Sequence, residues 1–135
     1  MATFALTDAV VTVGGTDLSD HVRQVTINAS ADQLDNTAMG QTFRSRQGGL
    51  KDWTVTLEFN QDFAASEIDA TLWPLLGTNA TVTVKATSAS TSATNPLYSG
   101  SVLVSGYNPL GNGVGDLATT SVTWQGAGAL SRATS

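Results

Sequence analysis

The chain has 135 residues, enough for one domain with a core of its own. Its formal net charge is −5 and only 13% of its residues are charged, which excludes a protein that grips nucleic acid through clustered Lys and Arg. Because it has no cysteine, it can form neither a disulfide framework nor a thiolate metal site.

Alternation of apolar and polar residues with a period of two dominates the chain and predicts strands. Gly14 and Gly15 predict a hairpin turn after the first of them. In chain order the predicted strands are 9–13, 21–29, 52–60, 81–86, 98–107 and 118–125. Their apolar faces, with one helical residue, predict the core: Val25, Ile27, Trp53, Val55, Leu57, Phe59, Leu72, Val82, Val84, Val122 and Trp124.

One helix is predicted between the third and fourth strands. Ser66 is a suitable N-cap residue, and Ile68 and Leu72 lie four residues apart on one helical face. Pro74 should end or kink the helix near residue 73, and Gly77 should stop the segment. We expect this helix to cover one end or flank of the β-structure.

Three segments lack periodicity, and one of them, residues 87–96, is a Ser/Thr-rich turn region. Residues 30–50 are predicted as a long loop, which in a compact domain is typical of function or mobility. This loop carries Arg44 and Arg46, and Lys51 follows it, so half of the six basic residues lie here. Residues 126–135 are predicted as a free C-terminal arm. No segment divides the chain, so we expect a single domain over residues 1–135.

The location of the protein is also constrained by the sequence. Residues 1–13 lack a basic region followed by a long apolar region, so no signal peptide is predicted. No run approaches the roughly 20 apolar residues of a membrane helix. We therefore expect synthesis in the cytoplasm and no association with a membrane.

Catalytic chemistry is disfavoured. Ser19, Asp20 and His21 are adjacent, whereas a triad needs its base between the other two groups in space. The glycine-rich segment 111–116 has a strand pattern on both sides, so a wide hairpin loop is favoured over a phosphate-binding loop. We expect no catalytic site, no metal and no cofactor. A sugar-binding platform remains an alternative for the three tryptophans, but their apolar faces favour the core.

The order of short motifs resembles that of the major tail tube proteins of long-tailed, non-contractile bacteriophages. The motifs are GGTDLSDHVRQVTI, DNTAMGQTFR, RQGGLKDWTVTLEFNQDF, LWPLLG, ATNPLYSG and SVTWQGAGALSR. Together they extend over nearly the whole chain. No single motif carries chemistry, so their order carries the resemblance.

The resemblance implies a mainly β fold, a small β-sandwich or partial barrel with one flanking helix and a long loop. It also implies a structural subunit of the virion tail, in which hexameric rings of this chain stack into a hollow conduit for viral DNA. The implied partners are other copies of itself, the tail-tip or initiator protein, the tail terminator and a tape-measure protein in the lumen. DNA would pass without specific binding.

Two groups of residues acquire roles from this resemblance. The polar face of the strand 52–60 is the candidate lumen lining, with the tube exterior as the alternative: Asp52, Thr54, Thr56, Glu58 and Asn60. The loop 30–50 and its flank would contact the neighbouring ring: Arg44, Arg46, Lys51, Asp32 and Asp35.

Two other interpretations stay open. A monomeric β-sandwich module that binds carbohydrate or a receptor, in a phage tail or an adhesin, would need an exposed aromatic patch, for which Tyr98 and Tyr107 are the candidates. A β-barrel ligand carrier, or an enzyme on that scaffold, would need polar groups converging inside an apolar cavity. The almost purely apolar inward faces disfavour this second interpretation.

Overall fold

Eight strands and one short helix form the part of the chain that the computed structural model describes, residues 5–134. Strand makes up 48% of the protein and helix 8%, so the predicted mainly-β class with one helix is confirmed. The helix α1 (Ile68–Leu72) lies between β4 and β5. In chain order the strands are β1 (Val10–Val13), β2 (Thr16–Asp17), β3 (Val22–Asp35), β4 (Arg46–Asn60), β5 (Asn79–Lys85), β6 (Leu97–Leu103), β7 (Thr119–Gly126) and β8 (Ser131–Ala133).

All eight strands belong to one antiparallel sheet, in the order β2-β1-β5-β6-β7-β4-β3, with β8 paired to β6. The junction between β6 and β7 is narrow, because only Val102 and Leu103 pair with β7. In contrast, β5 pairs with β6, and β4 with β7, over seven positions each. The junction therefore divides the sheet into two halves, β2-β1-β5-β6 and β7-β4-β3, whose apolar faces share one core.

The core follows the alternation of the sequence. On β4 every second side chain from Trp53 to Phe59 is buried, because successive side chains of a strand point to opposite faces. Val25 and Ile27 on β3 are only half-buried and pack against the edge of the core. The other nine expected core residues are buried: Trp53, Val55, Leu57, Phe59, Leu72, Val82, Val84, Val122 and Trp124. Each such side chain contributes roughly 1.5–3 kcal/mol of transfer free energy.

Trp53 joins β4 to both strands of the junction. Its indole ring lies against the backbone of Gly100 and Gly126, and a Cβ at Gly100 would come within 2.5 Å of the ring. The indole N–H donates to the carbonyl of Gly128 at 2.8 Å. The two glycines are thus required for the close approach of ring to backbone.

The helix is shorter than predicted. It begins at Ile68 with Glu67 as its N-cap residue, so the prediction of Ser66 as N-cap is wrong; Ser66 has a positive φ of 64° instead. A 3-10 turn, Trp73–Leu75, follows α1 and contains Pro74, which cannot continue α-helical hydrogen bonding. Nowhere in residues 5–134 is there a helix with the length and apolar content needed to cross a membrane.

Two of the three tryptophans are buried and one is exposed. Trp53 and Trp124 lie in the core, and the Trp124 indole N–H donates to the carbonyl of Gly106 at 2.9 Å. Trp73 is 59% exposed, so its predicted place in the core is wrong. Trp73 directly follows Leu72, so its side chain points about 100° away from the buried stripe of Ile68 and Leu72.

Residues 30–50 differ from the expected loop. β3 and β4 are paired along their length, from Val22 opposite Phe59 at one end to Asp35 opposite Arg46 at the other. Only residues 36–45 therefore connect the two strands. We call residues 30–52 the arm and residues 36–46 the arm tip. The arm extends about 20 Å beyond the core, given roughly 3.4 Å per strand residue. Its sequence does not alternate because both of its faces are largely exposed to solvent.

The C-terminal segment also differs from the expected free arm. β7 runs to Gly126, and β8 then pairs with β6, with Ala133 opposite Leu97 and Ser131 opposite Ser99. The Ala127 amide donates to the carbonyl of Ser101 at 2.7 Å. The segment up to residue 133 is therefore part of the sheet.

Candidate functional site

The arm carries large apolar side chains that lie outside the core. Met39 is 103% exposed, Phe43 86%, Leu50 82% and Leu34 47%. A two-stranded hairpin is only marginally stable by itself in water, and apolar side chains gathered on a surface mark interaction sites. The arm therefore has the character of a contact surface.

The charged residues expected to contact a neighbouring ring all lie on the arm. Arg44 Nη1 is 2.7 Å from Asp35 Oδ2, and both side chains are exposed. Arg46, Lys51 and Asp32 are exposed as well, and none of them forms an ion pair with another described residue. Within the molecule, the arm thus keeps two unpaired positive charges at its surface.

The outward face of the β7-β4-β3 half is polar across three strands. The hydroxyls of Thr56 and Thr123 are 3.2 Å apart on neighbouring strands. The candidate lumen residues of β4 share this face with polar residues of β3 and β7. Cross-strand rows are Asn28–Thr54–Gln125, Thr26–Thr56–Thr123 and Gln24–Glu58–Ser121, flanked by Asp52 and Asn60.

This polar face carries less free negative charge than its carboxylates suggest. Arg23 Nη1 lies 3.4 Å from Glu58 Oε1, so Glu58 has a basic partner. Asp52 is exposed, whereas the side-chain oxygen of Asn60 is buried with no hydrogen-bond partner among the described residues. The face therefore presents mainly hydroxyl and amide groups.

His21, the only histidine of the chain, lies among three carboxylates. Its Nδ1 is 2.8 Å from Asp20 and 3.4 Å from Glu67, and its Nε2 is 2.9 Å from Asp62. Partial burial acts to lower the pKa of His21, but the hydrogen bonds to Asp20 and Asp62 outweigh it and hold that pKa above its ordinary value. Only a protonated ring can donate from both nitrogens.

Ser19 does not extend this cluster into a triad, because its hydroxyl donates to the carboxylate of Asp17. The nearest donor atoms of Asp20, His21 and Glu67 lie within 4.8 Å of one another, a spacing that a divalent cation could bridge. A protonated His21 would compete with such a cation for the same carboxylates. The expectation of no metal remains a prediction.

We expect His21→Gln to destabilise the protein more at about pH 5.5 than at about pH 8.5. Because the pKa of His21 is raised in the folded state, protonation of its ring stabilises the fold. This stabilisation is fully present below the unfolded-state pKa of about 6.5 and is lost as the pH rises through the folded-state pKa. Urea unfolding of parent and variant at both pH values measures the difference. A stability difference that grew with pH would contradict the assignment.

The two tyrosines do not present a shared aromatic platform. The Tyr107 hydroxyl donates to Asp69 and accepts from the Gln61 side chain, both at 2.9 Å. Burial, with the neighbouring Asp69 carboxylate, raises the pKa of Tyr107 to about 12. Tyr98 is half-buried on β6, paired with Arg132 of β8. The Tyr107 ring is thus held by hydrogen bonds within the fold, whereas Tyr98 lines an open, mainly apolar groove.

An open groove of about 640 Å³ lies where the arm leaves the body. Small and apolar side chains dominate its lining, among them Ala31, Trp53 and Leu130, with Lys51 and Asp52 also present. This lining suits an apolar segment of another chain, because mainly apolar surface is available for contact there.

The fold is similar to that of chains in tail-like particles. It matches a chain in the virion of the native gene transfer agent (GTA) particle with a TM-score of 0.74 and 15% identity, over 93% of this chain and 95% of that one. A chain in the tail of the empty GTA particle, with C6 symmetry, matches with a TM-score of 0.65 and 16% identity, over 82% and 81%. A third match lies in the six-fold symmetrised baseplate of the anti-feeding prophage, with a TM-score of 0.53 and 9% identity, over 98% and 97%. No protein-family model and no curated protein sequence matches the chain.

Proposed function

We propose that this protein is a structural, non-enzymatic subunit of a virion tail tube, in which rings of six copies stack into a hollow conduit for DNA. The arm is the observation that carries this proposal. It projects from a complete core, and its Met39, Phe43 and Leu50 side chains are almost fully exposed. Apolar side chains exposed in this way do not stabilise a monomer and mark an interaction site. The shared fold with chains of tail-like particles supports the same assignment.

Ring formation follows from the edges of the sheet. β3 has 14 residues and ends the strand order, so its outer edge has no strand partner among the described residues. Exposed edges of this length invite pairing with other chains. A head-to-tail contact that closes after six copies occupies every such edge and gives a ring rather than an open fibre.

The polar face of β4 is the proposed lumen lining. Its hydroxyl and amide groups, with Asp52 and the Arg23–Glu58 pair, offer no cluster of positive charge to phosphates. DNA would therefore move along this face without specific binding. A tape-measure protein would occupy the same lumen before ejection, and tail-tip and terminator proteins would cap the stack. The subunit would be made in the host cytoplasm and reside in the tail without contacting a membrane.

Electron microscopy of the purified protein over a concentration series tests the proposal. We expect hollow filaments or six-fold rings at high concentration, and a helical reconstruction should place Asp52 and Thr56 toward the lumen. Adding a purified tail-tip complex should nucleate the same filaments at lower concentration. Monomers under all of these conditions would overturn the proposal, and a β4 polar face on the tube exterior would overturn the lumen assignment.

A monomeric binding module is the second candidate, and the groove at the root of the arm favours it. Its apolar lining around Trp53 and Leu130 could receive an extended segment of a receptor. The same concentration series separates the two functions, because such a module stays monomeric with and without the tail-tip complex.

A further inference from the structure

The pairing of β3 with β4 is interrupted at Arg23, in the part of the hairpin that covers the core. Val22 lies opposite Phe59 and Gln24 lies opposite Glu58, so Arg23 has no partner of its own on β4. This irregularity is a β-bulge, in which two residues of one strand oppose one residue of the other. Because a bulge bends its strand and redirects a side chain, the direction of the Arg23 side chain does not follow from simple alternation.

The bulge brings a positive charge to the polar face of the β7-β4-β3 half. Nη1 of Arg23 lies 3.4 Å from Oε1 of Glu58, and Glu58 belongs to the outward row that also contains Gln24 and Ser121. Arg23 is the only Lys or Arg in the strand segments that form this face, which are residues 23–28, 54–58 and 121–125. The face therefore holds one positive charge in each copy.

Glu58 is the carboxylate that neutralises this charge. Among residues 5–134 it is the acidic residue that forms an ion pair with Arg23, whereas the nearby Asp20 is bonded to His21. Asp52 lies six positions from Glu58 along β4, about 20 Å at roughly 3.4 Å per residue. Charges that far apart are screened from each other, because the Debye length is about 8 Å at physiological ionic strength.

The ion pair between Arg23 and Glu58 is better explained by its effect on the surface than by stability. The side chain of Arg23 is 48% exposed and that of Glu58 36%, and ion pairs exposed in this way contribute little to folding. An arginine without its partner would instead offer a planar set of N–H donors, which matches the oxygens of a phosphate group.

A single free arginine would hold DNA only weakly, but the proposed assembly repeats it. Each phosphate contact adds only about 0.9 to the slope of log affinity against log salt. A ring of six copies would place the same side chain around the lumen six times, and stacked rings would repeat it along the conduit. Linked contacts of this kind act together, so the combined affinity far exceeds that of one contact.

We propose that Arg23 is a phosphate-binding group on the lumen face and that Glu58 neutralises it, so that passing DNA is not retained. This inference rests on the proposed tail-tube function and identifies the residue pair on which free passage depends. The ligand of the arginine, once its partner is removed, is the phosphate backbone of DNA, without preference for sequence.

Glu58→Gln tests this proposal, because it removes the carboxylate and keeps the size of the side chain. Filaments are assembled in the presence of a short fluorescent double-stranded DNA, nuclease removes DNA bound outside, and the DNA that sediments with washed filaments is measured. We expect Glu58→Gln filaments to retain about tenfold more DNA than parent filaments at about 50 mM salt. This excess should disappear at about 200 mM salt, because six phosphate contacts lose about 10³ in affinity over that range.

Two control variants separate the ion pair from a general change of charge. Asp52→Asn removes one carboxylate from the same face and leaves the pair of Arg23 and Glu58 intact, so its filaments should gain little DNA. Arg23→Gln combined with Glu58→Gln removes both charges and should return retention to that of the parent. None of the three side chains is buried, so folding is expected to persist in every variant.

The outcomes separate the role of the ion pair from the proposed function. Salt-sensitive retention by Glu58→Gln that disappears when Arg23→Gln is added supports the proposal. Filaments of Glu58→Gln that retain no more DNA than the parent overturn it, as does an equal gain with Asp52→Asn or retention that persists in the double variant. Each of these results leaves the tail-tube function standing. Absence of filaments from the unmodified chain, with the tail-tip complex added, overturns both.

Discussion

Replacing residues 31–51 with an Asn-Gly turn is expected to abolish filament formation while leaving the body folded. The turn would connect Ser30 and Asp52, which face each other across β3 and β4, and Asn-Gly suits a two-residue hairpin connection. The removed residues contribute no side chain to the core. The body should therefore keep a cooperative unfolding transition, because every buried core side chain is retained.

Assembly should be lost, because each ring would lose the contacts that its arms are proposed to make with the neighbouring ring. Urea unfolding and electron microscopy on the same preparation measure stability and assembly separately. Leu103→Ser is the matched control, since it removes an exposed apolar side chain from the body and leaves the arm intact. Normal filaments from the shortened protein would show that the arm is not an assembly contact.

Gly126→Ala is expected to destabilise the protein by about 2–4 kcal/mol. The new Cβ would come within 2.5 Å of the Trp53 ring, and overpacking of this kind costs roughly 1–3 kcal/mol. Displacing the ring would also weaken its hydrogen bond to the Gly128 carbonyl, at a net cost of about 1 kcal/mol. The damage falls on the narrow junction between the halves of the sheet.

Gly128→Ala is the control for this substitution, because nothing lies within 4 Å of a Cβ at that position. Denaturant unfolding of both variants should show a loss only for Gly126→Ala. The double variant Trp53→Leu/Gly126→Ala should lose less stability than the sum of the losses of the two single variants, because changes at neighbouring residues are not additive. Equal stability of the two glycine variants would contradict the packing of Trp53 at the junction.

The strands of the body could be predicted from the sequence because one face of each is buried. Burial imposes a period of two, and β4 shows it from Trp53 to Phe59. The arm escaped the same analysis because β3 beyond Ser30 has both faces exposed, and no alternation is then required. Its two strands are held by pairing with each other, and the register of such a pair cannot be predicted from either strand alone.

The mainly-β class, the positions of the core strands, the short helix before Pro74 and the absence of cysteine chemistry were determined by the sequence alone. Each depends on local spacing or on which residue types are present. The tertiary structure decided the rest. His21 meets Asp62 across 41 positions, Trp53 reaches Gly128 across 75, and the C-terminal segment pairs with β6. These contacts arise only when the chain closes on itself, because they join residues whose separation in sequence says nothing about their distance in space.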